Sequence, residues 1–177
     1  LEMAEKGWGG LRTRALAARA GVNKALVHYH FGSMDTLRLE TAAHVLNSTV
    51  NEASVAVLEA PTLAEGVRRF CAFLDAFDPS DPKGIVLMET MILVPRVPEL
   101  ESMMLRILDV YERALADRIR LDIAAGTLPS DTDVAGLATG LTALLDGLGL
   151  HAYMRPNIDF TPTGEAFAAL LTNERRS

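Results

Sequence analysis

The sequence predicts an all-α protein in which a short N-terminal unit of three helices is joined by one long helix to a larger helical body. Three observations predict it. Apolar residues recur at three- and four-residue spacing through most of the chain, and no useful length alternates with period two. Hydrophobic residues make up 49% of the 177 and aromatics only 6%, and a mixture rich in Ala and Leu suits helix packing. Pro, Gly and capping residues divide the pattern into about nine helix-length pieces.

After a first helix at the N-terminus, a second is predicted from Thr13, placed as its N-cap, through Ala15 to Ala20. Gly21 supplies a left-handed C-cap, Val22 is expected to insert into the core, and Asn23 caps a short third helix from roughly Lys24 to His30. Helix, glycine turn and capped helix make a helix-turn-helix, whose second helix lies in a DNA major groove. Leu26 or Val27, with Phe31, is expected to face inward. From Ser33 to Ala60 no Gly or Pro intervenes, so one helix of ~40 Å follows at ~1.5 Å per residue. Pro61 stops it, and Thr62-Leu63-Ala64-Glu65 is a capping box for a helix reaching about Phe77.

Asp78 to Gly84 reads as a loop, followed by a helix from Ile85 to Val94 that Pro95 and Pro98 end. The next helix carries Leu100, Met104, Ile107, Leu108, Tyr111, Leu115 and Ile119 as one stripe, and Gly126 ends it. Asp131-Thr132-Asp133 caps a helix running to about Arg155, and Thr161-Pro162 opens a last one to about Asn173. The domain boundary is placed between residues 46 and 47, giving units 1–46 and 47–177.

Charge agrees with a DNA-binding N-terminus. The net charge is −6, but residues 1–46 hold six Lys/Arg against four Asp/Glu, while residues 47–177 hold eleven against nineteen. On the third helix Lys24 can reach a phosphate or a guanine edge, and Ala25 lets the helix N-terminus approach the backbone. Tyr29 and His30 bring hydrogen-bond donors on stiff side chains, beside His28. Thr13, Arg14 and Asn23 complete the candidate DNA-contacting set. The alternatives are a half-buried aromatic corner, or a metal held by His28 and His30. Residues two apart on a helix point to different faces, and no Cys or carboxylate cluster completes a metal site.

In the helix 131–155, Gly136, Gly140, Ala143 and Gly147 give a nearly side-chain-free face, beside a row holding Leu144. Each Gly costs a helix about 1 kcal/mol against Ala, so close helix approach is the natural reason. That approach is either packing within the chain or, together with the Leu100–Ile119 stripe, a four-helix bundle across a two-fold axis. The single cysteine, Cys71, lies between Phe70 and Phe73 and reads as a buried thiol rather than a redox sensor. No signal peptide or membrane span is read, which implies the cytoplasm. No phosphate loop, nucleophile elbow, His-Glu-x-x-His or Cys-x-x-Cys motif points to an enzyme, and no cofactor is expected.

These residues resemble the tetracycline-repressor (TetR) family of bacterial transcription regulators. The resemblance rests on Ala4-Glu5-Lys6-Gly7, Thr13, Ala18-Arg19-Ala20-Gly21-Val22-Asn23-Lys24, His28-Tyr29-His30-Phe31 and Ser33-Met34-Asp35-Thr36-Leu37. At motif level it covers the first 46 residues; the rest fits as a helical body of suitable length. It implies a homodimeric repressor that binds a palindromic double-stranded operator and is released by a small, largely apolar effector. The larger unit is then a ligand-binding and dimerisation domain. Phe70, Phe73, Phe77, Met88, Met91, Met104, Tyr111, His151 and Met154 are the candidate pocket lining, with core packing as the alternative for each. Three residues depart from the family pattern. Met34 replaces a phosphate-touching lysine, His28 a tyrosine, and Leu26 a small or hydroxylic residue. Were those departures disabling, the chain would be a helical interaction module with a head that no longer binds DNA. The chain also opens at Leu1 inside the first helix, so a preceding segment is expected.

Overall fold

The computed structural model describes residues 1–172, all in helices, turns and irregular connections with no strand among them. In chain order the helices are α1 (Glu2–Gly10), α2 (Thr13–Ala20), α3 (Lys24–Phe31), α4 (Met34–Leu58) and α5 (Leu63–Asp75). They continue as α6 (Pro82–Leu93), α7 (Pro98–Ala124), α8 (Val134–Met154) and α9 (Thr161–Leu171), with a 3-10 turn at Val94–Arg96. The expected end of the last helix at Asn173 lies outside the described residues.

Most starts follow from capping chemistry. The Ala25 amide donates to Asn23 Oδ1 at 2.9 Å, Thr36 to Ser33 Oγ at 3.0 Å, Glu65 to Thr62 Oγ1 at 3.2 Å, and Gly136 to Asp133 Oδ1 at 3.1 Å. Two starts differ from expectation. Thr13 is already helical: Arg12, extended at φ −129°, is the N-cap, and α2 has no side-chain cap. The 78–84 loop is also shorter than expected, because Asp81 accepts from the Lys83 amide and Pro82 takes the first helical position.

The chain forms two compact units, residues 1–49 with 80–105, and residues 50–79 with 106 onward. In the first, Met3, Leu11, Ala17, Val27, Leu37 and Val45 enclose a core that Val86 of α6 completes, with Trp8, Phe31 and Leu87 packed around it. The N-terminal unit therefore takes in a segment, 80–105, that a boundary after residue 46 leaves to the body. Contacts between residues some 80 positions apart carry no signal in local periodicity.

In the second unit the core is built from Val57, Leu63, Val67, Phe70, Cys71, Leu74, Leu115, Ile119, Leu141, Leu145 and Phe160. Asp122, fully buried, accepts from the Leu63 amide at 2.6 Å and pairs with Arg118, pinning the start of α5 to α7. α9 lies close on α5, where a Cβ on Gly164 would come within 3.1 Å of Cys71 Cβ. The α7 stripe is spent inside the chain, with Leu100 and Met104 buried in the first unit and Leu115 and Ile119 in the second. Leu105, Val110 and Leu121, on other sides of α7, stay exposed.

Candidate nucleic-acid interface

α2 ends at Gly21, whose left-handed backbone (φ 66°) lets its amide return to the Ala18 carbonyl while Val22 reaches the Ala17 carbonyl. The chain then turns into α3 with Asn23 as cap. Val22 does not enter the core as expected; it stays 38% exposed, and the closing contacts are made by the backbone. α3 is anchored by one buried residue, Val27, and by half-buried Phe31. With 3.6 residues per turn, everything opposite Val27 points outward.

The structure brings the DNA-contacting candidates to one exposed stretch. Lys24, Ala25, His28, Tyr29 and His30 are all exposed on α3, with Tyr29 standing edge-on to His30 at 5.3 Å. Asn23 is exposed and its Oδ1 is occupied as the cap, leaving its NH2 free to donate outward. Arg14 is exposed and Thr13 half-buried at the start of α2. Of the basic residues, Arg19 is tied to Glu2 and Glu5 and Arg38 to Asp35. The Arg19 guanidinium holds the Glu5 carboxyl below its ordinary range, chiefly by hydrogen bonding. Arg12, Arg14 and Lys24 stay exposed with no acid partner among the described residues. They supply the positive field that a phosphate backbone needs.

Two features were missed by sequence reasoning. Leu26 is 43% exposed on the outward side of α3, a position derivable once Val27 and Phe31 are both set inward. The second is a joint between α1 and α6. Gly7 breaks α1 with φ 72° and ψ 170°, and the Trp8 amide freed there donates to Glu89 Oε1 at 2.7 Å. A Cβ on Gly7 would lie 3.0 Å from that same oxygen.

The nine pocket candidates are divided by the two units. Met88, Met91 and Met104 belong to the first and the other six to the second. Phe70 is buried in the core, while Phe73, Phe77 and Tyr111 are half-buried against it, with Phe70–Phe73 rings 6.3 Å apart and Phe77–Tyr153 rings 6.5 Å apart. Met91, His151 and Met154 are exposed. A cavity of about 50 Å³ lies among Leu63, Asp122, Thr127, Leu128 and Leu171, room for a water or two, and none of the nine lines it.

Asp146 interrupts the apolar run of α8. Its side chain opens to solvent on one side, yet the packed atoms beneath it strip enough water to raise its carboxyl above the ordinary range, and its charge adds to burial in raising the Tyr111 phenol. Cys71 is buried as expected, and loss of water pushes its thiol up to about 11.

The interface candidates on α8 separate by cause. Nothing lies within 4 Å of a Cβ placed on Gly140 or Gly147, and Ala143 beside them is exposed. Gly136 has a different reason, since the Asp133 cap occupies its Cβ position. Leu144, between the glycine face and the core-facing side of α8, is half-buried and packs against the second core.

An exposed, capped second helix on a glycine turn, carried by an all-helical chain with a positive N-terminus, defines a helix-turn-helix DNA-binding regulator. Residues 2–41 match the family model "Bacterial regulatory proteins, tetR family", and residues 63–173 match "BetI-type transcriptional repressor, C-terminal". The chain belongs to the TetR family and is a DNA-binding transcription regulator. It is 29% identical over 159 residues to the HTH-type transcriptional regulator BetI of Agrobacterium fabrum, covering 90% of this chain and 73% of that one. Among solved structures it is similar to a transcriptional regulator from Saccharomonospora viridis in complex with choline (TM-score 0.71, 23% identity, 98% of this chain and 90% of that one). It is also similar to FadR from Bacillus subtilis in complex with stearoyl-CoA (TM-score 0.69, 16% identity, 97% and 92%).

Proposed function

We propose that this regulator is a cytoplasmic homodimeric repressor that holds a palindromic operator through α3 and its flanking residues, and releases it when a small molecule binds the body. The observation that carries the reading is the exposed α3 surface. Lys24, Ala25, His28, Tyr29 and His30 are exposed on an anchored helix, with Arg14 and Asn23 exposed on the segments that precede it. Lys24 and Arg14 are assigned to phosphates, Tyr29 and His30 to positioning, and Ala25 to close approach of the helix N-terminus. Release is a linkage effect: an effector that prefers a conformation with the wrong head spacing draws population from the DNA-bound one. No catalysis is assigned to the chain.

For the dimer, support comes from Gly140 and Gly147 of α8, which nothing among the described residues explains. For the effector, Phe73, Phe77 and Tyr111 offer apolar, aromatic surface in the second unit, and Asp146 adds a negative charge near Tyr111. That pairing suits an apolar body with a cationic end, since an ammonium is attracted to aromatic faces. Choline, held by the Saccharomonospora viridis regulator, is the first compound to try.

The test is titration of the full chain against duplex DNA taken upstream of its own gene, at low and physiological salt. Binding with dimer stoichiometry should fall about 10³-fold or more between about 50 and 200 mM salt if six or more phosphates are neutralised. Lys24→Ala should weaken binding across sequences and flatten the salt slope by about one, with an unchanged melting temperature. A folded protein that binds no DNA at the lower salt overturns the reading.

A further inference from the structure

The outward centre of α3 carries no charge. Val27 and Phe31 mark its inner side, so successive 100° steps put Ala25 and Tyr29 opposite them and Leu26 on the adjoining flank. Tyr29 is 82% exposed and Leu26 43% exposed, so both side chains are available to a surface laid against α3. Leu26 is not held out by a packing need, because Val27 alone of α3 enters the first core as a buried residue. Lys24 on the same helix and Arg12 and Arg14 at the start of α2 are exposed and without acid partners among the described residues, so the N-terminal unit carries a field that attracts polyanions.

On the edge of a base pair in the major groove, one group is apolar: the C5-methyl of thymine. A leucine presented there cannot exchange hydrogen bonds with any base. It gains by burying its methyls on that group, and loses by covering a donor or acceptor it cannot satisfy. We propose that Leu26 is a specificity-determining residue that reads a thymine methyl in each operator half-site, with Ala25 closing the same apolar contact. This rests on α3 being the DNA-reading helix. Lys24 then supplies affinity without regard to sequence, while Leu26 selects thymine over cytosine, which has the same ring and no methyl.

The experiment selects binding sites from a pool of random duplexes with the wild-type chain, then replaces each selected thymine in turn by deoxyuridine, which removes only the methyl. At one thymine per half-site the substitution should weaken wild-type binding about four-fold, and about fifteen-fold when made in both halves, from the transfer energy of one methyl-sized group. Leu26→Ala should bind the thymine site more weakly and be indifferent to the same deoxyuridine. Because Leu26 is exposed, this variant should melt where the wild type does, which separates a reading defect from a folding one. If wild type and Leu26→Ala respond alike to deoxyuridine at every position, Leu26 does not read a methyl and the proposal falls, while α3 remains the reading helix. If no sequence is enriched from the pool, the assignment of α3 as reader fails, and this proposal with it.

Discussion

Asp146 shows at the scale of one residue how a helix of nearly uniform character carries a deliberate exception. It stands in an apolar run, and its carboxyl is raised because its charged form has lost water that no partner replaces. For an acid the sign follows directly. The folded state holds the proton more tightly than the unfolded chain, so stability falls as pH rises through the carboxyl range. Asp146→Asn should therefore melt higher than wild type at pH near 7.5, and the gain should shrink as pH falls towards the unfolded value of about 4. Paired thermal melts at the two pH values check this. An equal difference at both would mean that the charge costs the fold nothing. The tetracycline-repressor resemblance and the outward set on α3 were legible from residue types and spacing alone. The exposure of Leu26 was legible in principle, since choosing Val27 as the anchor decides it. Thr13 was misplaced by one position because a hydroxyl at a helix start reads as a cap whether or not the backbone enters extended one residue earlier.

At the scale of elements, the joint between α1 and α6 shows why sequence reading ends where it does. Helix starts are local chemistry, so Asn23, Thr62, Asp133 and Pro162 announced them. That Glu89 reaches the gap in α1 at Gly7 is a meeting of residues 81 apart, with no local trace. The joint makes a separable prediction. Glu89→Ala leaves the half-buried Trp8 amide without its acceptor, costing about 1 kcal/mol, or roughly 2–4 °C in melting temperature for a chain of this size. Gly7→Ala pays twice, once for a left-handed backbone with a side chain and once for crowding Glu89 Oε1. In a Glu89→Ala background the second cost vanishes, so Gly7→Ala should be less harmful there than in the wild type. A double-mutant cycle in urea reads this coupling. Strict additivity would show that the carboxylate is not seated in the gap. Since α6 belongs to the N-terminal unit, both variants should also weaken DNA binding more than a body substitution of equal stability cost.

For the whole molecule, the decisive surface is the one left open. α8 is apolar and long enough, by length and composition, to cross a bilayer, yet only 22% of its most apolar window is buried in one protomer. Leu141, Leu145 and Ala138 spend one face on the core, while Gly140, Ala143, Leu150 and Met154 remain outside. A glycine mid-helix costs about 1 kcal/mol against alanine, and at Gly140 and Gly147 no neighbour among the described residues recovers it. A second copy of α8 would, because backbones approach most closely where side chains are absent, and a two-fold dimer would suit a palindromic operator. Gly140→Leu discriminates sharply. The added side chain meets open space in one protomer and improves helix propensity, so the fold of each chain should be at least as stable as before. Across a two-fold contact it would clash with its own image. Sedimentation velocity should show the variant shifted from dimer to monomer, with operator affinity falling because each head then binds its half-site alone. A Gly140→Leu chain that sediments as an unchanged dimer would move the interface off this face of α8 and leave its glycines without a packing reason.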